Sequence, residues 1–299
     1  MKNQHAGYRI FTICNYLFIG LLALAALYPY LNTLAVALND GNDSMLGGIT
    51  VYPRMPTLGN FATLLKDSTI IQAMIVSVSQ TVLGTLFALI VQFSAGYALT
   101  KRRLVGRNAI LLFFIVPMFL NGGLIPTYLL YSKLHLLNNF LVYILPSAFS
   151  FFNVIIIRTY LYTIPASLEE SAKIDGASEL SILWRIILPL SRPILATIAL
   201  WTAVTHWNDW TSTLYFVTSG DLQTLQFKLM QMIKESQMIA QLIQEAQQRG
   251  ETNLNHIVHV TPEAIRAAQV VITTIPIILV YPFLQKHFIK GVMIGSVKE

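Results

Sequence analysis

Charged residues in this chain lie too far apart for a water-soluble fold. Between Arg9 and Asp40 there are 30 uncharged residues, between Asp67 and Lys101 33, between Arg107 and Lys133 25, between Lys133 and Arg158 24, and between Arg266 and Lys286 19. Arg192 and Asp221 enclose 28 more, broken by one acid, Asp209. A membrane-crossing helix needs about 20 apolar residues. Six spans are therefore predicted, near 11–36, 71–99, 109–131, 137–157, 194–217 and 267–286. Transmembrane β-strands run only about 9–11 residues with alternating polarity, so a barrel is excluded. Composition agrees: of 299 residues, 55% are hydrophobic and 11% charged, against about 25% charged in soluble domains. Disorder needs the opposite composition, and Cys14 alone cannot make a disulfide scaffold. The expected fold is all-α and integral to a membrane.

Lys2 and Arg9 before the first apolar run resemble the start of a signal peptide, with Ala23-Leu24-Ala25 as a passable cleavage site. The run exceeds the 7–15 residues or so of such a segment, which favours an uncleaved helix. Six spans place both termini on one side. With the N-terminus inside, thirteen Lys and Arg fall inside and seven outside, and the short loop Lys101–Arg107 contributes most to the bias. The positive-inside rule then makes both termini cytoplasmic. The basic pI of 9.4 reflects these flanking charges, so nucleic acid is not expected as a partner, whereas membrane lipid is.

Two segments outside the spans are long. Residues 158–193 would be cytoplasmic, with Arg158, Lys173, Arg185 and Arg192 against Glu169, Glu170, Asp175 and Glu179. Residues 218–266 would lie outside, and their apolar residues recur with helical period over Leu222–Gln248. Gly250 is the expected stop and Thr261-Pro262-Glu263 the next helix start. Phosphate loops, dinucleotide fingerprints, HExxH and GxSxG are all absent. His256 and His259 share a helical spacing without a completing ligand. Neither catalytic nor metal residues are expected.

Within the cytoplasmic segment, Pro165 and Ser167 can open a helix, Glu169 and Lys173 form an i,i+4 pair, and Gly176 can take the positive φ that ends the helix. A second amphipathic stretch, Leu180, Leu183, Trp184, Ile187 and Leu188, runs to Pro189. By physics alone this is a connecting helical hairpin. In register, Glu170, Ala172, Gly176, Ile186, Leu188 and Pro189 also resemble the cytoplasmic signature of permease subunits of binding-protein-dependent ABC importers, with Ser171 where that signature usually has Ala. Ile164-Pro165, Leu168-Glu169-Glu170, Ile174-Asp175-Gly176-Ala177 and Trp207-Asn208-Asp209-Trp210 resemble the carbohydrate branch. Asn121-Gly122-Gly123 and the terminal Gln285–Lys298 resemble a subgroup importing oligosaccharides and polysaccharide fragments.

The resemblance implies a five-helix permease core, spans two to six, with the first helix as an extra arm. It divides the chain into 1–66 (N-terminal tail, first helix and first outer loop), 67–290 (core, with coupling loop 158–193 and outer loop 218–266) and 291–299 (cytoplasmic tail). It implies a bacterial inner-membrane, multi-pass subunit. Its partners would be a homologous second permease, two ATP-binding subunits and an extracytoplasmic solute-binding protein. No cofactor would sit on this chain, ATP and Mg²⁺ being held by partners, and the chain would not be an enzyme. Glu169, Glu170, Ala172, Asp175, Gly176, Ala177, Leu188 and Pro189 would couple to the ATPases, with Glu170 pairing with a basic residue there.

A substrate path needs polar groups inside the bundle. Ser77, Thr81, Gly84, Ala88 and Gln92 form one small or polar stripe, which suits a path or close helix packing equally. Asn121, Gly122 and Gly123 sit near mid-span between Pro117 and Pro126, where irregular backbone requires a cavity or protein cover. His206, Trp207, Asn208, Asp209 and Trp210 include the only intramembrane acid. They could meet sugar hydroxyls and rings, or form a polar clasp between helices. Asp209 also leaves open an ion- or proton-coupled secondary transporter. The tip 247–256 of the outer loop is expected to meet the binding protein.

Overall fold

The computed structural model describes residues 6–44, 46–120, 122–248 and 262–296. Among these residues there are helices and one isolated bridge, Asn39 with Pro56, but no strand. Three helices are long and apolar enough to cross a membrane, or five if each of two sharply bent pairs is one span. The chain divides into two compact units, residues 1–68 with 229–275, and residues 69–228 with 276–299.

In the first unit, α1 (Ala6–Ala37) is apolar over its whole surface and mostly exposed, as a lipid-facing helix must be. Pro29 lies inside it, and Thr33 Oγ1 donates to the Pro29 carbonyl at 2.8 Å. The loop that follows holds the short helices α2 (Gly41–Ser44) and α3 (Gly59–Lys66). Asn39, fully buried, ties it together. Its Nδ2 donates to Asp43 Oδ2 at 2.8 Å and Ser44 Oγ at 3.0 Å, and its Oδ1 accepts from the Met55 N–H at 2.7 Å. Asn60 Nδ2 donates to the carbonyls of Ala37 and Asn39.

In the second unit, α4 (Ser68–Ala98) is the one long uninterrupted span, with Ala73, Ser77, Gln80, Gly84, Ala88, Gln92 and Gly96 on its buried face. The predicted spans 109–131, 137–157 and 194–217 are not continuous helices. The first is α5 (Arg107–Met118) and α6 (Leu124–Lys133), broken where Gly123 adopts φ +83°. The second is a short 3₁₀ turn, Phe140–Tyr143, followed by α7 (Phe151–Leu161). Pro146 lies between them and cannot donate to a helix. An elbow follows, comprising α8 (Ala166–Ile174), α9 (Glu179–Ile182), a π turn at Leu183–Ile187 and α10 (Leu188–Leu190). The third divided span is α11 (Arg192–Trp207) and α12 (Thr211–Phe216).

The segment that follows carries α13 (Leu225–Gln248), close to the predicted Leu222–Gln248. The last helix, α14 (Pro262–Ser296), starts at the expected proline. The predicted stop at Gly250, and His256 and His259, lie outside the described residues.

Candidate functional site

The elbow is built from local backbone chemistry. At the end of α8, Gly176 takes φ +79°, its N–H reaches the Lys173 carbonyl at 3.0 Å, and the Ala177 N–H reaches the Ala172 carbonyl at 2.9 Å. This bond pair with a left-handed glycine is the Schellman ending, and Ala172 and Ala177 pack in one cluster beside it. Ser178 then caps α9 by accepting from the Ser181 N–H at 3.3 Å. Pro189 has no N–H to continue the ordinary ladder. Just before it the helix widens, and the Leu188 N–H bonds to the Leu183 carbonyl five residues back. Ser191, fully buried, closes the corner with its hydroxyl on the Ile187 carbonyl at 2.7 Å, and the chain bends by 80° into α11.

The π turn also alters the expected amphipathic face. Ile182, Leu183 and Ile187 are buried, whereas Leu180 and Trp184 are exposed. The extra residue in the turn rotates the register after Leu183, so the expected single period over Leu180–Leu188 is corrected to two faces. The buried residues join Phe93 and Tyr97 of α4, Ile157 and Leu161 of α7, Ala172 of α8 and Ile198 of α11 in a single cluster. At Gly96 an added Cβ would lie 2.8 Å from Ile157 Cγ2, so glycine there lets α4 and α7 approach closely.

The expected Glu169–Lys173 pair is absent among the described residues. Lys101, three residues past the end of α4, bonds Glu169 instead, approaches Glu179 Oε2 at 3.3 Å and donates to Tyr97 Oη at 2.6 Å. Lys173 turns to Glu179 at 2.5 Å. Each carboxylate thus meets an ammonium from another segment, which outcompetes a weak i,i+4 pair. The hydrogen bond from Lys173, against a smaller desolvation effect, holds Glu179 down at about 2. Desolvation alone would lower Lys101, but its bonds to Glu169 and Tyr97 outweigh it and raise the ammonium above its ordinary value.

The outward side of the elbow differs. Glu170, Asp175 and Gly176 are exposed, as are Leu168 and Pro189, and Ile174 is 87% exposed. Leu188 is half-buried. Ala172 is the one buried side chain of α8.

Deeper in the unit, the polar residues of the predicted path mostly bond to backbone at helix breaks. Ser77 Oγ accepts from the Leu225 N–H at 2.8 Å. Gln92 Nε2 donates to the Ala148 carbonyl at 3.1 Å, and its Oε1 accepts from Asn153 at 3.1 Å. Thr81 Oγ1 returns to the Ser77 carbonyl at 2.7 Å. His206 is buried against Gly84, where an added Cβ would lie 2.5 Å from its ring, and Ser147 Oγ is 3.4 Å from its Nε2.

Asp209 acts as a turn former: its Oδ1 accepts from Thr211 Oγ1 and the Ser212 N–H, both at 3.0 Å, starting α12. Asn208 is exposed and accepts from Gln226 Nε2 at 3.1 Å. Trp207 is buried and lines an apolar recess of about 220 Å³ with Thr81, Val204 and Pro276. Trp210 is half-buried, and Gly122 and Gly123 are exposed at their break. Asn121 lies outside the described residues. The structure thus brings Ser77, Thr81, His206, Trp207, Asn208 and Asp209 near the junction of α4 with α11 and α12. Gln92 bonds instead to the loop before α7 and to α7 itself.

Sequence reasoning passed over Gln80, whose Nε2 donates to the His206 carbonyl at 2.7 Å. Its place on the buried stripe of α4, three residues after Ser77, was the available signal. It also passed over Tyr143, whose hydroxyl donates to the Leu222 carbonyl at 2.7 Å. In the sequence Lys101 is only a loop charge, because its partner Glu169 is 68 residues away.

The described residues are helical, several of their helices are apolar enough to cross a membrane, and the comparisons with known proteins name the family. Residues 80–294 match the inner membrane components of binding-protein-dependent transport systems, and the chain belongs to that family. It is 40% identical over 299 residues to Protein LplC of Bacillus subtilis, covering all of this chain and 98% of that one. It is 33% identical over 298 residues to the polygalacturonan/rhamnogalacturonan transport system permease protein YtcP of the same organism, covering 100% of each. The structure resembles a chain in the crystal structure of a bacterial ABC transporter involved in the import of the acidic polysaccharide alginate. The TM-score is 0.82 at 31% identity, covering 96% of this chain and 100% of that one. The chain is thus a multi-pass membrane permease component of an ABC importer, and the secondary-transporter alternative has no support.

Proposed function

We propose that this chain is one of two homologous permease subunits in an ATP-driven importer of oligosaccharides or polysaccharide fragments. Two ATP-binding subunits hold ATP and Mg²⁺ and carry out hydrolysis, and an extracytoplasmic binding protein delivers the sugar. In this reading six helices cross the membrane, five of them as the core and α1 as an arm, with both termini cytoplasmic. Residues 1–66 form the arm and first outer loop, 67–290 the core, and 291–299 the tail. The substrates of YtcP and of the alginate transporter support the sugar class.

The observation that carries the coupling role is the two-sidedness of the elbow. One side is bonded to the ends of the spans, and the other presents Glu170, Asp175 and Ile174 to solvent. An exposed apolar side chain beside free acids at a rigid turn fits docking in a protein cleft. ATP binding must then favour one packing of the bundle over another. Glu169, Ala172, Gly176, Ala177, Leu188 and Pro189 hold the shape, and Glu170 reaches the partner. His206 to Trp210, at the junction of α4 with α11 and α12, are our candidates for the sugar path in this reading.

Gly176→Pro cannot adopt φ +79°. It is expected to abolish sugar uptake in cells while the subunit still reaches the membrane, as measured by uptake and immunoblot. Normal uptake would overturn the coupling role.

A further inference from the structure

We propose that Lys101 is a positioning residue of the coupling machinery, an ammonium clamp that fixes α8 to the cytoplasmic end of α4 so that movement of the elbow is passed to the bundle. The inference rests on the reading of α8 as the ATPase-docking helix.

The packing of α8 is the first argument. A helix that transmits force must be held by more than the turn at its end, yet of nine residues in α8 only Ala172 is buried. One methyl group gives little purchase. What fastens the helix is charge: Lys101 Nζ bonds Glu169 in its first turn, approaches Glu179 at 3.3 Å in the next helix, and bonds Tyr97 Oη at 2.6 Å one turn back on α4. Tyr97 Oη in turn donates to Glu179 Oε2 at 3.1 Å, which closes the ring of bonds. Lys173, bonded to Glu179 at 2.5 Å, ties α8 to α9 across the Gly176 turn.

The second argument is shielding. The side chains of Lys101 and Glu169 are only 26% and 25% exposed, so salt screens them less than it would a surface pair. The third is division of labour between adjacent acids. Glu169 turns inward to the clamp, whereas Glu170 is exposed and makes no hydrogen bond or ion pair among the described residues. Tyr97 is itself in the cluster with Ile157, Ile187 and Ile198, so a pull on Lys101 reaches α7 and α11 as well as α4.

The test uses the assembled transporter in proteoliposomes, with ATP hydrolysed per sugar imported as the readout. Lys101→Met should assemble with the ATPases and still hydrolyse ATP, with the ratio of ATP to sugar rising at least about five-fold. Glu169→Gln should raise it too, by less, since it removes one of the three bonds of Lys101, and the double variant should be no worse than Lys101→Met, in which the Glu169 bond is already lost. An unchanged ratio in Lys101→Met, or additive effects in the double variant, would overturn the clamp. Should Lys101→Met fail to assemble, Glu169→Gln alone decides, an unchanged ratio overturning the proposal. Ile174→Glu, on the exposed face, tests the underlying reading separately. If it leaves ATPase association intact, that reading falls and the clamp with it. If it abolishes association while Lys101→Met stays coupled, only the clamp falls.

Discussion

The elbow and the breaks inside the bundle both interrupt helices, and they solve the resulting hydrogen-bond problem differently. At the elbow the loose ends are tied within a few residues: Ala177 to Ala172, Ser181 to Ser178, Ser191 to Ile187. In the bundle the partners come from remote parts of the chain, Ser77 bonding 148 residues away, Gln80 126 and Gln92 56. Water at the membrane surface can finish whatever local residues leave undone. In the hydrocarbon an unmet N–H or carbonyl costs several kcal/mol, so another helix must supply the partner. Short-range chemistry leaves the elbow's outer face free for a partner, whereas long-range chemistry turns the bundle's polar groups inward.

The sharpest way to break this contrast is at Gly84. An added Cβ would sit 2.5 Å from the buried His206 ring. Gly84→Leu should prevent accumulation of folded subunit, and Gly84→Ala should cost about 1–3 kcal/mol as an overpacked contact. Thermal unfolding in detergent measures both. Gly84→Ala with His206→Ala should recover much of the loss. If the double variant is as unstable as Gly84→Ala, the close approach of α4 and α11 is not what makes glycine necessary.

At the elbow the corresponding glycine should behave otherwise. Nothing lies within 4 Å of a Cβ built on Gly176, so only its positive φ opposes a side chain. Gly176→Ala should cost about 1–2 kcal/mol, and Gly176→Asn less, because Asn tolerates the left-handed region. Unfolding midpoints and uptake should rank Gly, Asn, Ala. Equal damage from Asn and Ala would place the constraint in the docked partner rather than in the backbone.

The same contrast explains which features were legible beforehand. Gly176 and Pro189 act on neighbours, so the turn and the stop of the elbow can be read from residue type and spacing, and the 3.6-residue stripe of α4 is equally plain. The breaks within three spans were not, because long uncharged runs look alike whether or not a helix is continuous. Asp209 shows the difficulty well: an intramembrane acid suggests a substrate or ion site, yet its carboxylate starts α12. Lys101 was hidden for the same reason. Nothing local distinguishes it from Arg102 and Arg103, and its role appears only once α4 and α8 are brought together.

Asp209 allows a finer test. If its oxygen matters as an acceptor for the Ser212 N–H, Asp209→Asn should import sugar at close to the normal rate. Asp209→Ala should lose about 1 kcal/mol as a removed cap. Uptake and unfolding of the two variants, measured together, separate the roles. A dead Asn variant of normal stability would return the charge itself to the transport step.

The smallest expected effect is none at all, and it concerns pH. Glu179 is faced by Lys173, Lys101 and Tyr97, and its folded pKa, about 2, lies below the ordinary 4.5. A depressed carboxylate contributes stability that is fully present above its ordinary pKa and is lost as pH falls through 4.5 towards 2. Lys101 is raised above 10.5, so its contribution is fully present below that value and fades only as pH climbs past it. Between these limits neither Glu179 nor Lys101 changes charge. The ratio of ATP hydrolysed to sugar imported should therefore be flat from about pH 5.5 to about pH 8.5. In Lys101→Met it should be equally flat but displaced, since an element that is always charged has been removed rather than a switch. A slope that Lys101→Met abolishes would show that the elbow titrates in this range and that its charges are not the fixed fastening the geometry implies. A slope that persists in the variant would place the titrating group elsewhere in the transporter.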